Sequence, residues 1–305
     1  MYNISTLFQR LRDFLGVANS CVDAKILLGT LLTNNIKAVG MLDDPRDAEF
    51  RVFSQFGEDG LIQYILSRLC LDERLRSFVE FGVENFSEAN CRFLMVKDNW
   101  RGLVIDGSAK NIKQIQRDRF FWRHQLVSIA QFIDKENINE VISASGFVGE
   151  IGILSVDIDG NDYWILDAIN VVDPVMIIAE YNSVFGPKRA VTVPYDPKFQ
   201  RSHAHYSNLY WGASISALTR LANSKGYELV AGNSAGNNVF FVRRDMLKGL
   251  RVLSVDEAYA VSRFRESRNK DGSLSFLSGD DRLNLIVDMP VYDLDAGAVV
   301  RLGDS

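Results

Sequence analysis

The stretch "FVEFGVENFSEAN", residues 78–90, sets Glu80 at the end of an apolar run, follows it with Gly82, and then crowds Glu84 and Glu88 into the next turn. Such a turn repels a phosphate, and neither GxGxxG nor GxxxxGK[ST] occurs in the chain. Its ligand should instead be cationic, or carry hydroxyls in need of acceptors. Other apolar runs end alike: Asp106 closes "GLVID", Asp157 and Asp159 close "IGILSVDID", and Glu180 and Asn182 close "PVMIIAEYN". Asp106 is suitably spaced after the glycine turn to accept hydrogen bonds from a ribose. A ribose without a pyrophosphate is what S-adenosylmethionine carries, and its sulfonium and amino group suit the carboxylates around Gly82.

Asp157, Asp159, Glu180 and Asn182 are hard oxygen ligands of the type Mg²⁺ or another divalent cation takes. A metal there would lower the pKa of a substrate hydroxyl. The same stretch also reads as plain helix capping, with Asp159, Asn161 and Asp162 ahead of "NDYWILDAI". Proton removal from a hydroxyl has three candidates, Asp157 and the histidines His203 and His205 of "SHAHYSN", although surface placement is the ordinary fate of such histidines. Tyr181, Tyr195, Tyr206, Tyr210 and Trp211 offer flat faces for a sugar ring, or for the core.

Short apolar runs alternating with helical stretches from about residue 78 predict a doubly wound, mostly parallel α/β sheet. The strands are expected at "SFVEFGV", "GLVIDGS", "HQLVSIA", "IGILSVDID" and "PVMIIAEYN", with helices between them. In such a sheet ligands bind beyond the carboxyl ends of the strands, where the acidic residues fall. The following stretch, through Asn208, has three prolines and reads as a lid or binding loop from Gly186 to Asn208. A helix closed by Gly226 and a hairpin around "SAGNN" come next, followed by a helix at "DEAYAVSRFRES" and edge strands beyond it.

With 305 residues, 47% of them hydrophobic, the chain can bury a large core, and a formal charge of -5 gives no general drive toward nucleic acid. Cys21, Cys70 and Cys91 form no CxxC, so neither a disulfide framework nor a thiolate zinc site is expected, and a reducing cytoplasm fits best. No stretch approaches the roughly 20 apolar residues of a membrane span. Ile4, Leu7, Phe8, Leu11, Phe14 and Leu15, followed by "AKILLGTLL", predict two helices over residues 4–34, docked on the core or on a second subunit in a homo-oligomer.

The segments "SQFGEDGLIQYIL", "FVEFGVEN", "NWRGLVIDGS", "LSVDIDGNDYWIL" and "IIAEYNSVFG" together resemble the FkbM-like methyltransferases of the class I S-adenosylmethionine-dependent fold. The likeness spans residues 51–245, leaving a helical extension at 1–50 and a C-terminal extension at 246–305 that packs on the core. It implies a seven-stranded Rossmann-like sheet with a reversed last strand, and a cofactor over the first two strand ends. It also implies cofactor contacts from Glu80, Gly82 and Asp106, with Gly107, Ser108 and Asp157 beside them, and a reaction site lined by "DIDGND". The glycine turn departs from the family pattern, because "ENFSE" replaces its second small residue. The expected activity is O-methylation of a sugar or sugar-bearing small molecule, with or without a divalent cation. Two other readings stand: a nucleotide-sugar glycosyltransferase using Asp157 and Asp159 as a DxD pair, and a non-catalytic assembly protein.

Overall fold

The computed structural model describes residues 4–69, 71–264 and 266–304, without the side chains of residues 4–19. The apolar face expected from Ile4 through Leu15, and Cys70, therefore lie outside the described residues.

Five parallel strands, β1 (Ser77–Phe81), β2 (Arg101–Asp106), β3 (Leu126–Ala130), β4 (Gly149–Val156) and β5 (Val172–Glu180), form the body of a seven-stranded sheet. Its order is β3-β2-β1-β4-β5-β8-β7, where β7 (Tyr227–Gly232) and β8 (Asn238–Arg243) are an antiparallel hairpin and β8 runs against β5. The chain has a Rossmann-like doubly wound fold with a reversed strand, as its alternation of runs predicts. Alternate residues along each strand feed separate cores: Val79, Leu103, Leu154 and Phe241 lie on one face, and Phe78, Val104, Ile153 and Phe240 on the other. Burial on both faces explains why these strands read as nearly unbroken apolar runs. Strand order turns at β1 and β4, and the carboxyl ends of β1, β2, β4 and β5 meet there.

The N-terminus differs from expectation. One continuous helix, α1 (Ile4–Ala38), replaces the two predicted. Gly29 does not break it, because the glycine is a contact: a Cβ there would lie 2.5 Å from Val52 Cγ2 and 2.8 Å from Phe93 Cζ. Gly29 and Thr33 are buried on this side, while Leu27, Leu28, Leu31 and Leu32 face solvent on the other. Helix α2 (Glu58–Leu69) follows, and α3 (Arg92–Asp98), α4 (Ala109–Arg117), α5 (Ile138–Ala144) and α6 (Asp162–Ala168) cover the sheet. No described helix is long and apolar enough to cross a membrane.

Two further expectations need correction. The segment 186–208 is not a free loop: it contributes β6 (Val191–Thr192), which pairs with β9 (Pro290–Asp293), itself paired with β10 (Ala298–Arg301). It also holds a single helical turn, α7 (Arg201–Ala204), ahead of α8 (Ile215–Ser224). Val191, Val193, Leu209 and Tyr210 bury themselves against Ile286, Val291 and Leu302 of the C-terminal extension, and this apolar contact holds the segment down. The helix expected at "DEAYAVSRFRES" stops after Val255–Ala258. The Tyr181 hydroxyl donates to the Ala260 carbonyl at 3.0 Å and accepts from the Ala260 amide at 3.1 Å, taking the backbone groups that a continuing helix would need. The chain then runs extended and brings Phe264 and Glu266 back to the strand ends.

Gly82 makes the convergence of strands possible. Its φ is +67°, its amide donates to the Ile105 carbonyl at 3.1 Å, and a Cβ would fall 1.7 Å from the Asp157 carbonyl oxygen. No side chain fits without driving β1 and β4 apart, and only glycine adopts this φ at no steric cost. Gly82→Ala is therefore expected to destabilise the fold by on the order of 3 kcal/mol or more, a value reserved for backbone strain and core disruption. Urea denaturation checks this, and a wild-type midpoint would mean that the turn moves freely.

Candidate functional site

A cavity of about 570 Å³ opens over the ends of β1, β2, β4 and β5, within the usual size range of small-molecule sites. Glu80, Gly82 and Glu84 from the first turn line it, as do Asp106 and Gly107 after β2, and Asp157, Asp159, Asn161 and Glu180 from β4, β5 and their turns. Gln55 and Phe56 reach it from the segment before α2, Arg201 from α7, Asn238 from β8, and Phe264 and Glu266 from the C-terminal extension.

Asp106 is buried at the end of β2, where Oδ2 accepts from the Glu84 amide at 2.8 Å and Oδ1 from the Ser108 amide at 2.8 Å and Asn111 Nδ2 at 3.1 Å. Three donors fix the carboxylate and leave Oδ2 with a lone pair to spare. Ser108 stands apart from the lining: it is the N-cap of α4, its hydroxyl accepting from the Asn111 amide at 3.4 Å. Glu80 is also committed. Its Oε1 accepts from the Asn90 amide at 2.7 Å and its Oε2 from the Cys91 amide at 3.1 Å, tying the turn ahead of α3 to β1. Burial pushes its carboxyl up to about 7, against the pull of those two amides. Both carboxylate oxygens of Glu80, a lining residue, are thus engaged by backbone amides.

Carboxyl oxygens of Asp157, Asp162 and Glu180 lie within 4.8 Å of one another. Asp162 was expected as a cap and within the "DIDGND" lining, not as a ligand; Asp159 and Asn182 were expected as ligands and are employed elsewhere. Asp162 Oδ1 accepts from the Ile158 amide and Oδ2 from the Gly160 amide, both at 2.9 Å, which folds the "DIDGND" turn inward. Asp159, at φ +55°, lines the cavity with a largely exposed side chain and takes Arg201 Nη1 at 2.7 Å. Asn182 Oδ1 accepts from the Val184 amide at 3.0 Å, and its Nδ2 donates to the Leu209 and Trp211 carbonyls at 2.8 and 3.0 Å. The Asp157 and Asp159 carboxylates of the DxD pair thus face different partners and do not converge on one ion.

Burial, then repulsion from neighbouring carboxylates, raises Asp157 and Glu180 well above the ordinary carboxylate range. Burial pushes Asp162 up to about 6. Glu180 Oε2 is buried with no hydrogen-bond partner. Three crowded acids with an oxygen to spare fit a hard divalent cation, which would replace the protons that otherwise relieve their repulsion.

Arg201 spans the rim. It bonds Asp159, Glu266 and, at 2.9 Å, the Asn208 carbonyl, while its guanidinium lies 4.4 Å over the Trp211 ring. Phe56 and Phe264 stack at 5.8 Å with 17° between their planes and both line the cavity. Asn161 and Asp162 lie within the "DIDGND" stretch expected to line a reaction site, whereas sequence reasoning did not single out Arg201, Asn238, Phe56, Phe264 or Glu266.

Neither His203 nor His205 lines the cavity. His203 is exposed on α7, and His205 Nδ1 is 2.7 Å from the Ser207 hydroxyl in a local turn, stacked near Tyr206. Of the segment 201–205, Arg201 is the residue that reaches the cavity, while His205, the C-cap of α7, is half-buried in its own turn. Of the flat faces expected, Tyr181 and Trp211 are buried in the core, and Tyr195 packs at the edge of Trp164.

No protein-family model and no curated protein matches the chain. Solved structures do. The N-terminal domain of EvdMO1 with SAH bound is 10% identical, with 67% of this chain and 82% of that chain covered, at a TM-score of 0.39. An S-adenosylmethionine-dependent methyltransferase from Clostridium acetobutylicum ATCC 824 is 8% identical over 61% and 90%, at 0.39. An O-methyltransferase family protein from Burkholderia thailandensis is 8% identical over 74% and 59%, at 0.38. At such scores these overlays leave the chemistry of this cavity to its own residues.

A His203→Gln, His205→Gln double variant is expected to unfold at the wild-type urea midpoint, because neither imidazole is buried in the core or lines the cavity. A lowered midpoint would show that one of them supports the segment.

Proposed function

We propose that this chain is an S-adenosylmethionine-dependent O-methyltransferase acting on a hydroxyl of a sugar or sugar-bearing small molecule, with a divalent cation assisting. The observation that carries the reading is one cavity at the turning point of strand order that joins Asp106, on the β2 end, to the buried acids on the β4 and β5 ends. S-adenosylmethionine supplies an electrophilic methyl group on a sulfonium. Asp106, fixed by three donors, would accept from the ribose hydroxyls, with Gly82 and Gly107 keeping the backbone open beside it. The acidic lining of Glu84 and Glu88 suits a cationic donor and disfavours a phosphate.

Asp157, Asp162 and Glu180 would hold the cation, which lowers the pKa of the acceptor hydroxyl. Once the cation has displaced their protons, Asp157 or Glu180 would be ionised and able to receive the hydroxyl proton. Phe56, Phe264 and Phe199 line the cavity and exclude water, so that transfer depends on the alignment of oxygen and methyl carbon. Buried, mutually repelling carboxylates are costly in a scaffold that only assembles, and such pKa displacement clusters at reactive sites, which weighs against a non-catalytic protein. The pairing of Asp159 with Arg201 weighs against the glycosyltransferase.

Calorimetry with S-adenosylhomocysteine tests the cofactor half: the wild type should bind, and Asp106→Ala should bind about 10- to 100-fold more weakly through loss of a charged acceptor. A folded variant with unchanged affinity would remove Asp106 from the site. The metal half has its own readout. The acids of the trio are raised in pKa, hence protonated at low pH, so Mg²⁺ must displace protons and should bind more tightly as pH rises through about 6, the position of Asp162. Titration of Mg²⁺ at acid and neutral pH, repeated with Asp157→Asn, checks the sign. Binding independent of both pH and Asp157 would place the ion elsewhere.

A further inference from the structure

Helix α4 and the turn after it, residues 109–124, hold five basic side chains, Lys110, Lys113, Arg117, Arg119 and Arg123, against one acid, Asp118, in a chain whose formal charge is -5. All five are exposed, and none forms an ion pair with a described residue. Elsewhere arginines are matched: Arg220 with Asp295, Arg244 with Glu228, and Arg243 with Glu150, Asp173 and Asp245. Like charges gathered on one surface repel each other, and an anionic partner relieves that repulsion.

The cluster has a direction. Ile112 and Ile115 bury one side of α4 in the core beneath it, and the helical period sets Lys110, Lys113 and Arg117 on the opposite side. Trp122 follows with 73% of its surface exposed, and the Arg123 guanidinium lies 5.0 Å from its ring centre. An indole left open beside cations is the amphipathic side chain that bilayer interfaces favour.

The same side of the sheet carries the exposed stripe of α1. Ile36 of α1 packs on the core that holds Ile112 and Ile115, so α1 and α4 cover one face of the sheet together. Gly29 and Thr33 turn toward the body, while Leu27, Leu28 and Leu31 are 71%, 61% and 57% exposed. Contiguous apolar surface of this kind marks an interaction site. One face of the molecule therefore presents unpaired cations and open apolar side chains. A nucleic acid would answer the charge and leave the leucines in water. A second copy of the chain, laid face to face, would cover the leucines and oppose like charges. An anionic bilayer answers both, with phosphates for the cations and an interfacial layer for the indole and the leucines.

We propose that the α1–α4 face docks the protein peripherally on an anionic lipid bilayer, with the basic residues of α4 and its following turn on the headgroup phosphates and Trp122 with the α1 leucines in the interfacial layer. The proposal does not depend on what the cavity transforms.

The full chain is sedimented with vesicles of phosphatidylcholine alone and of equal parts phosphatidylcholine and phosphatidylglycerol. It should follow the anionic vesicles only, and less so as salt is raised. Trp100 and Trp211 are buried and Trp164 half-buried, so a blue shift of emission on binding should come from Trp122 and vanish in Trp122→Phe. Lys113→Gln, Arg117→Gln and Arg123→Gln together should weaken binding about 100-fold, roughly fivefold for each cation withdrawn from an anionic surface. Lys110→Arg with Lys113→Arg, which keeps the charge, should bind as the wild type does. Leu27→Ser with Leu31→Ser, both at exposed positions, should weaken binding about 10-fold as apolar groups leave the interfacial layer. Equal sedimentation with neutral vesicles, unchanged affinity in the triple charge variant, or retention on immobilised RNA without vesicle binding would each overturn the proposal. So would a dimer in solution that the leucine variant dissociates and that ignores anionic vesicles, because the stripe would then belong to a second copy.

Discussion

Repulsion among Asp157, Asp162 and Glu180 is the constraint around which the strand ends are arranged. Like charges a few ångströms apart in a poorly solvated site cannot all ionise without compensation. The two amides of Ile158 and Gly160 stabilise Asp162, and Arg201 draws Asp159 out of the group, reducing four acids to three. Asn182, next to Glu180, turns its amide onto the backbone at Leu209 and Trp211 and secures the β5 end to the segment that carries Arg201. Gly82 lets β1 approach the Asp157 carbonyl closely enough that the first and fourth turns share one cavity. A compensating cation would fit a cluster built in this way.

The wall of the site is assembled from distant parts of the chain. Glu58, in the segment before β1, is joined to Asn233 and Asn238 of the terminal hairpin, while Phe56 two residues earlier stacks on Phe264 of the C-terminal extension. Each of these pieces is held by its own apolar packing: Val191 and Leu209 against Ile286 and Val291 on one side, and Ala48 with the α2 leucines in the core beneath the sheet on the other. The extension at 246–305 is thus part of the cavity wall as well as a cover for the core. A binding site fashioned this way owes its shape to contacts of very long sequence separation, with Glu58 and Asn233 standing 175 residues apart.

The sequence by itself determined the architecture and the chemical character of the cavity. Strands buried on both faces must be apolar throughout, so β1 to β5 announced themselves. The acids that end them had to gather at one edge, because parallel strands present all their carboxyl ends together. Gly82 was legible for a related reason, since a lone glycine after an apolar run signals a backbone conformation that other residues avoid.

Which acid joins the cluster was decided only by tertiary structure. Asp159 and Asp162 are of one chemical type three residues apart, and what separates them is an arginine 42 residues away and two backbone amides whose direction depends on the turn. Asn182 looked like a ligand and became a brace because its partners, Leu209 and Trp211, arrive from a segment whose path is set by pairing with β9. The histidines looked able to reach a substrate because nothing local revealed that Arg201, and neither of them, would line the cavity. Helix α1 and the extended run after Ala258 follow the same logic: a glycine in a tight contact and a tyrosine hydroxyl from β5's end overrode local propensity, because packing and satisfaction of buried backbone groups outweigh the few tenths of a kcal/mol per residue by which helix propensities differ.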